Sequence, residues 1–315
     1  MLDADSLDAA AALIAREHTA ARARRPALPS DGDDPERCHR ALDALVADGG
    51  HGFVARRGGR CVGVLCGRVV DSHVAVLPAH GLAVDPTEGD PTSVLVGLYA
   101  QLAPQLVDSG ALYHHATHVD SAPLAEAFAN LGFGRTAVFG TQPARRRERE
   151  PDVEIRIADG DDLDVIASLS HIEMAHRFTP PIYSPQRPSS LDEVRERHQR
   201  LLDAGAVHLL ARAGADDVGL LTLELDYSAP RLCPGGQPFI GATATHPSAR
   251  GRGVAGALVE AALDWADRHG FHSVSVDFMP TNPLSRPFWV GAGFQCTGYG
   301  VARSIPPSYG PDARS

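Results

Sequence analysis

The clearest periodicity in the chain lies just beyond position 250. Val254, Leu258, Ala261, Ala262, Trp265 and Ala266 recur at helical spacing, directly after a run rich in Arg and Gly. Ahead of that run, Phe239–Thr245 is a short stretch of Ile, Ala and Thr that suits a strand, and beyond Gly270 a second such stretch spans Ser273–Phe278. The order is strand, Arg/Gly-rich turn, helix, strand, helix, with the turn at a helix N-terminus. Upstream, the pattern predicts a strand over 155–158, a helix over 163–174 and a proline-rich loop over 178–189. A helix over 191–204 and a hairpin of strands over 207–212 and 218–226 follow.

The first half of the chain repeats this order. Asp3-Ala4-Asp5-Ser6-Leu7-Asp8 parallels Asp159-Gly160-Asp161-Asp162-Leu163-Asp164, an acidic cap before an apolar-periodic helix in both. Phe53-Val54-Ala55-Arg56 parallels Leu209-Leu210-Ala211-Arg212, and Val62-Gly63-Val64 parallels Val218-Gly219-Leu220, all 156 positions apart. Asp85-Pro86 then matches His246-Pro247, and Leu131-Gly132-Phe133 matches Ala292-Gly293-Phe294, both 161 apart. One offset in each part, held over these anchors, defines a tandem repeat. The first copy starts at its first helix, without the strand that opens the second.

A glycine-rich turn at a helix N-terminus is a device for holding an anion. The first N–H groups of a helix have no intrahelical partner, and the helix dipole adds partial positive charge there. Gly251, Gly253 and Gly256 allow close backbone approach, and Arg250 and Arg252 can fork onto phosphate oxygens. No Gly-Lys-Ser/Thr ending of a nucleotide P-loop is present, nor a Gly-x-Gly-x-x-Gly. In the first copy, Gly89, Thr92 and Val94 stand at the positions of Arg250, Gly253 and Ala255. Glu88 and Asp90 sit where the anion would arrive. Like charges about 4 Å apart repel by about 1 kcal/mol in water and about 4 at a surface-like dielectric. Asp90 as N-cap and Pro91 at the first helical position still start that helix well.

Arg250-Gly251-Arg252-Gly253-Val254-Ala255 matches a Q/R-x-x-G-x-G/A motif. Asn282, Ser285 and Phe288-Trp289-Val290-Gly291-Ala292-Gly293-Phe294 supply a second block. On these residues the stretch of roughly 153–303 resembles the GNAT superfamily of acyl-CoA-dependent N-acyltransferases. The implied fold is α/β (α+β): two tandem GNAT-type domains, each a mixed, mostly antiparallel sheet flanked by helices, with a splayed parallel strand pair. The implied boundaries are 1–140 for a degenerate first domain, 141–152 for a solvated linker of mixed charge, 153–305 for the acyl-CoA-binding domain and 306–315 for an irregular tail. The pairing of two copies also resembles mycothiol synthase, a likeness of architecture that leaves the acceptor open.

The resemblance implies acetyl-CoA (acyl-CoA) held by Arg250, Gly251, Arg252, Gly253, Val254, Ala255 and Gly256 through its pyrophosphate. Its pantetheine arm would lie along Thr243, Ala244 and Thr245, with Asn282, Ser285 and Trp289 beside it. It implies an oxyanion donor near Thr245, and acceptor contacts from His171, Glu173, Arg177 and Tyr183. Trp289 occupies the place of a frequent family Tyr, and an indole N–H is a donor but no practical acid.

The chemistry needs a base, because a protonated amine is no nucleophile. Candidates are Glu224 and Asp226, His246 at the mouth of the next strand, and Asp277. The alternation of Leu221, Leu223 and Leu225 with Thr222, Glu224 and Asp226 puts both carboxylates on one strand face. The expectation is an N-acetyltransferase acting on a primary amine of a small molecule or peptide by direct attack. The rival is a non-catalytic acyl-CoA-binding or regulatory protein.

Composition narrows the partners. The 315 residues suffice for two cores, and 43% hydrophobic content is ordinary for them. A formal charge of −10 argues against nucleic acid and favours a cationic substrate. No apolar run approaches a membrane span and no signal pattern opens the chain, so a cytoplasmic protein without membrane contact is expected. Cys38, Cys61, Cys66, Cys233 and Cys296 are odd in number and lack metal spacing, which suits free thiols and no metal. The acceptor and the oligomeric state are not written in the sequence.

Overall fold

The computed structural model describes residue 2 and residues 4–71, 73–147, 152–185 and 187–310. Its elements begin with α1 (Ala4–Arg24), α2 (Pro35–Ala47), β1 (His51–Arg57), β2 (Arg60–Asp71), β3 (Val74–Leu77) and β4 (Leu82–Val84). Next come α3 (Pro91–Asp108), β5 (Tyr113–Val119), α4 (Ala122–Asn130) and β6 (Gly134–Pro143). The second copy supplies β7 (Glu154–Ile157), α5 (Leu163–His176), α6 (Leu191–Asp203), β8 (Val207–Ala213) and β9 (Asp216–Glu224). It ends with β10 (Phe239–Thr245), α7 (Val254–Arg268), β11 (Ser273–Phe278), α8 (Ser285–Gly291) and β12 (Gln295–Ser304). Among the described residues no helix is long and apolar enough to cross a membrane.

The repeat is visible element by element. α2 and α6 start and stop 156 positions apart, and β6 and β12 do so at 161. The two compact units nevertheless cut the chain differently from the two copies. The first comprises Met1–Phe139, Ala229–Pro234 and Cys296–Ser315, and the second comprises Gly140–Ser228 and Gly235–Gln295.

In the first unit the strand order is β1, β2, β3, β5, β12, then the start of β6, with β4 also on β2. β12, the last strand of the second copy, runs antiparallel to β5 from Gly298↔Val119 to Ser304↔Tyr113. Leu13, Ile14, Leu42 and Val64 bury the α1–α2 face of this unit. α1 is the first described helix of this copy.

In the second unit the order is the end of β6, then β11, β10, β9, β8 and β7. Thr141 Oγ1 donates to Val274 O at 3.2 Å, tying the end of β6 to β11. Ile166 and Leu169 of α5 pack on Leu210, Leu220 and Ala244. Successive strand residues face opposite sides, so Gly219 opens the other face to α7. A Cβ at Gly219 would stand 2.7 Å from Val254 Cγ1 and 3.0 Å from Leu258 Cδ1.

Three sequence expectations need correction. The strand expected over 218–226 ends at Glu224, because residues 225–226 turn away in a bend. Residues 141–147 do not form a free linker: Thr141–Pro143 finish β6, and Arg145 and Arg146 pair with Glu260 and Asp267 at 2.6 Å each. The rest of that stretch, 148–151, and the tail from 311 lie outside the described residues. The tail before it carries a short 3-10 turn, Pro307–Tyr309.

Candidate active site

β10 and β11 run parallel and in register only at Phe239↔Ser275 and Ile240↔Val276. Beyond that point β10 slips against β9, the register shifting between Ile240 and Thr243, and the two parallel strands part. Gly241 lies in this bulge, and a Cβ there would collide with the Glu224 carboxylate. A glycine inside a strand pattern is a signal of close approach. Here it makes room for an acidic side chain.

His246 N–H donates to Val218 O at 2.8 Å. Antiparallel ladders alternate, so Thr245 and Thr243, the next residues of opposite parity, point their N–H groups away from β9 and into the opening beside β11. Thr243 Oγ1 is buried there without a partner. A cleft of about 600 Å³ follows the opening.

At one end of the cleft lies the Arg/Gly turn. Gly251 and Gly253 hold φ values of 72° and 78°, the left-handed region that glycine enters freely. Gly253 is the N-cap of α7 and contributes no side-chain oxygen, so the first N–H groups of that helix are not capped from the chain itself. Arg250 Nε donates to Thr245 O at 3.2 Å and fastens the turn to the end of β10. Arg250, Gly251, Gly253, Val254, Ala255 and Gly256 line the cleft, whereas Arg252 does not. Asn282 Oδ1 accepts from Leu284 N at 3.0 Å and from Ser285 N at 3.4 Å, so it caps the approach to α8. Trp289 is buried beside it, edge-on to Phe288 and Phe294.

The first copy handles the same helix end differently. A Cβ at Gly63 would meet Val94 Cγ1 at 2.5 Å and Leu98 Cδ1 at 3.0 Å, the arrangement that Gly219 has with Val254 and Leu258. Packing therefore sets Val94 against Val254, not against Ala255 as the flanking anchors implied. Pro91, Thr92 and Ser93 are wound into a helical turn where the second copy has Gly251, Arg252 and Gly253. Asp90 caps that turn, accepting from Thr92 N at 3.0 Å and from Ser93 Oγ at 2.5 Å. Glu88 pairs with Arg60 at 3.1 Å. An internal carboxylate already occupies this helix end.

At its other end the cleft is acidic. Glu224 lies half-buried on β9 with Arg197 of α6 at 3.6 Å. Burial pushes its carboxyl pKa up, Arg197 opposes this, and Asp226 adds to it. Asp277 on β11 is open to water through the cleft but surrounded by protein otherwise. Burial raises its carboxyl to about 6, against the pull of Arg177 and with the push of Glu173 and Glu224. Glu224 pairs with Phe239, Phe239 with Ser275, and Asp277 follows two residues later, so both carboxylates share one sheet face. Above them, Glu173 holds Arg177 at 2.7 Å, while Glu173 Oε2 and His176 Nε2 are buried without partners.

Of the sequence candidates, Glu224, Asp277, Glu173 and Arg177 meet in the cleft. Asp226 lies in the bend beyond β9 and is exposed; His246 is exposed and turned to Ser248 Oγ at 2.8 Å. Neither lines the cleft, and neither do His171 and Tyr183. Sequence reading missed Gly241, His176 and Arg197. Gly241 was detectable as a glycine within a strand; the other two are helix positions whose facing depends on the packed fold.

The splayed parallel pair, with the glycine-rich N-terminus of α7 at its mouth, is set in a fold that known acetyltransferases share. A GCN5-related N-acetyltransferase from Sphaerobacter thermophilus has the same fold, with a TM-score of 0.58 and 16% identity over 96% of this chain and 93% of that one. A tandem GNAT protein of the clavulanic acid biosynthesis pathway has a TM-score of 0.51 and 16% identity, over 98% and 96%. A GNAT-family acetyltransferase from Colwellia psychrerythraea matches with a TM-score of 0.51 and 13% identity, over 82% and 87%. No curated protein sequence matches the chain. Residues 172–294 match the acetyltransferase (GNAT) family. They contain β10, the Arg/Gly turn, α7 and β11, and so the whole splayed opening.

Proposed function

We propose that the chain is an acetyl-CoA-dependent N-acetyltransferase that acylates a primary amine of a small molecule or peptide by direct attack in a ternary complex. The observation that supports this most is the polarity of one cleft: an uncapped helix N-terminus at one end, carboxylates at the other, and strand N–H groups between them. On this reading the N–H groups of residues 251–256, with Arg250, hold the pyrophosphate, and Arg252 adds charge from outside the cleft. Thr243, Ala244 and Thr245 hold the pantetheine arm, with Asn282, Ser285 and Trp289 along its other side. The unpartnered Thr243 Oγ1 fits such a polar arm.

Acetyl-CoA supplies a thioester already activated for transfer. Asp277 attracts the incoming ammonium, and Glu224 removes its proton, helped by a burial that makes the carboxylate more basic. The freed amine attacks the carbonyl carbon, and the N–H of Thr245, which faces the opening, donates to the oxyanion. Trp289 could hydrogen-bond the departing sulfur but would give it no proton, so the thiolate would leave as such, nitrogen would pass its second proton to water, and water would protonate the sulfur. The first copy, with Asp90 on its own helix end, holds no acyl-CoA, which gives one transfer site per chain.

The test is release of free thiol from acetyl-CoA with a panel of primary amines. Turnover with at least one amine supports the reading. Binding of acetyl-CoA with no thiol release from any amine would instead indicate a non-catalytic acyl-CoA-binding protein.

A further inference from the structure

Residues Ala229–Pro234, part of the connection between β9 and β10, belong to the first unit. At their centre Arg231 keeps 3% of its surface exposed and holds a φ of 72°, which a residue with a side chain adopts only at a cost. Arg231 Nη1 donates to Ala79 O and to Leu82 O, both at 2.6 Å, and Nε donates to His18 Nδ1 at 3.3 Å. His18 Nε2 in turn donates to Pro29 O at 2.7 Å, the neutral tautomer that leaves Nδ1 free to accept. Burial and the Arg231 charge both push the His18 pKa down, which keeps it in that state.

Two independent registers say where in the repeat this guanidinium sits. The buried positions Leu7, Ala10 and Leu13 of α1 recur as Leu163, Ile166 and Leu169 of α5, so Glu17 corresponds to Glu173. Leu65 pairs with Leu82 as Leu221 pairs with Thr243, so Leu82 corresponds to Thr243. Just before that residue both copies interrupt the strand. The second has its bulge at 241–242, and the first has the 3-10 turn Ala79–Gly81 between β3 and β4. In the second unit this interruption and Glu173 border the acidic end of the cleft. In the first unit the carbonyl of Ala79 in the interruption and that of Leu82 just after it point at Arg231, and its charge is felt by Glu17.

We infer that the first unit retains a guanidinium-binding pocket at the position that the acidic end of the cleft has in the second unit, and fills it with its own Arg231. Two carbonyls on Nη1 and an imidazole on Nε recognise a planar fork of donors, which an ammonium cannot present. The inference rests on the correspondence between the copies and not on acetyl transfer.

Arg231→Gly tests it with a built-in sign. Glycine relieves the left-handed backbone, so without a contribution from the guanidinium the variant melts at or above the parent. The pocket predicts a fall in melting temperature of about 5 °C or more. It also predicts that millimolar methylguanidinium restores part of that fall, leaves the parent unmoved and is not replaced by methylammonium. A parent-like melting temperature overturns the inference, and so does a fall that methylguanidinium does not reverse. Should Arg231→Gly fail to fold, Arg231→Lys decides. A loss of melting temperature supports the pocket, whereas parent-like stability shows that charge alone suffices and overturns it.

Discussion

Glu224 is the residue on which the proposed chemistry turns, and Gly241 is the reason it can reach the opening. Replacing Glu224 with Gln keeps the shape but removes the base. The expected result is a fall in kcat of roughly 10²–10⁴-fold, with acetyl-CoA affinity unchanged by calorimetry. Asp277 sets the pH range. A carboxylate attracts an ammonium only when ionised, and Asp277 takes up its proton near pH 6. Activity should therefore drop as the pH falls through about 6, and Asp277→Asn should flatten that limb of the kcat/KM profile while lowering its plateau. At the other end of the cleft, no atom beyond Gly256's chain neighbours and its own helix backbone stands within 4 Å of where its Cβ would be. Gly256→Glu should fold at least as stably as the parent, since Glu suits the first turn of a helix better than Gly. It should also lose acetyl-CoA binding, because a carboxylate then occupies the anion position.

At the scale of elements, the packing of α7 on β9 fixes where the anion site points. Gly219→Ala forces a methyl group against Val254 and should cost about 1–3 kcal/mol by urea unfolding, with weaker acetyl-CoA binding as the helix end shifts. The same packing explains how much could be read in advance. The strands Phe239–Thr245 and Ser273–Phe278 and the start of α7 were legible because periodicity, glycine and the Arg-rich turn agree locally. The destination of β12 was not, since its own pattern of apolar residues would suit an edge beside any partner strand. Nor was the grouping of Arg197 with Glu224, which exists only once α6 is docked. The one-residue slip between Val94 and Val254 was hidden because the first copy has one residue more before Val94 and one fewer after it, so the flanking anchors keep one offset, and only the contacts of Gly63 and Gly219 reveal it. Where α6 meets β8, His198 Nδ1 and His208 Nε2 lie 2.9 Å apart, both rings buried. Burial lowers them to about 3 and about 4 from an ordinary 6.5. The unfolded chain thus binds protons that the folded one refuses, and stability should fall as pH drops from about 6.5 towards 4. Urea midpoints at pH 7 and pH 5 check the sign.

For the molecule as a whole, the two copies share an order of elements but not a helix end. One offers the N-terminus of α7 across glycines, and the other closes the N-terminus of α3 with Asp90. One acyl-CoA per chain, on the second copy, is therefore expected. Isothermal titration of acetyl-CoA into the intact protein and into Gly256→Glu tests this most directly. One site per chain, absent from the variant, is the expected result. Two sites per chain, or one site that survives Gly256→Glu, would contradict it.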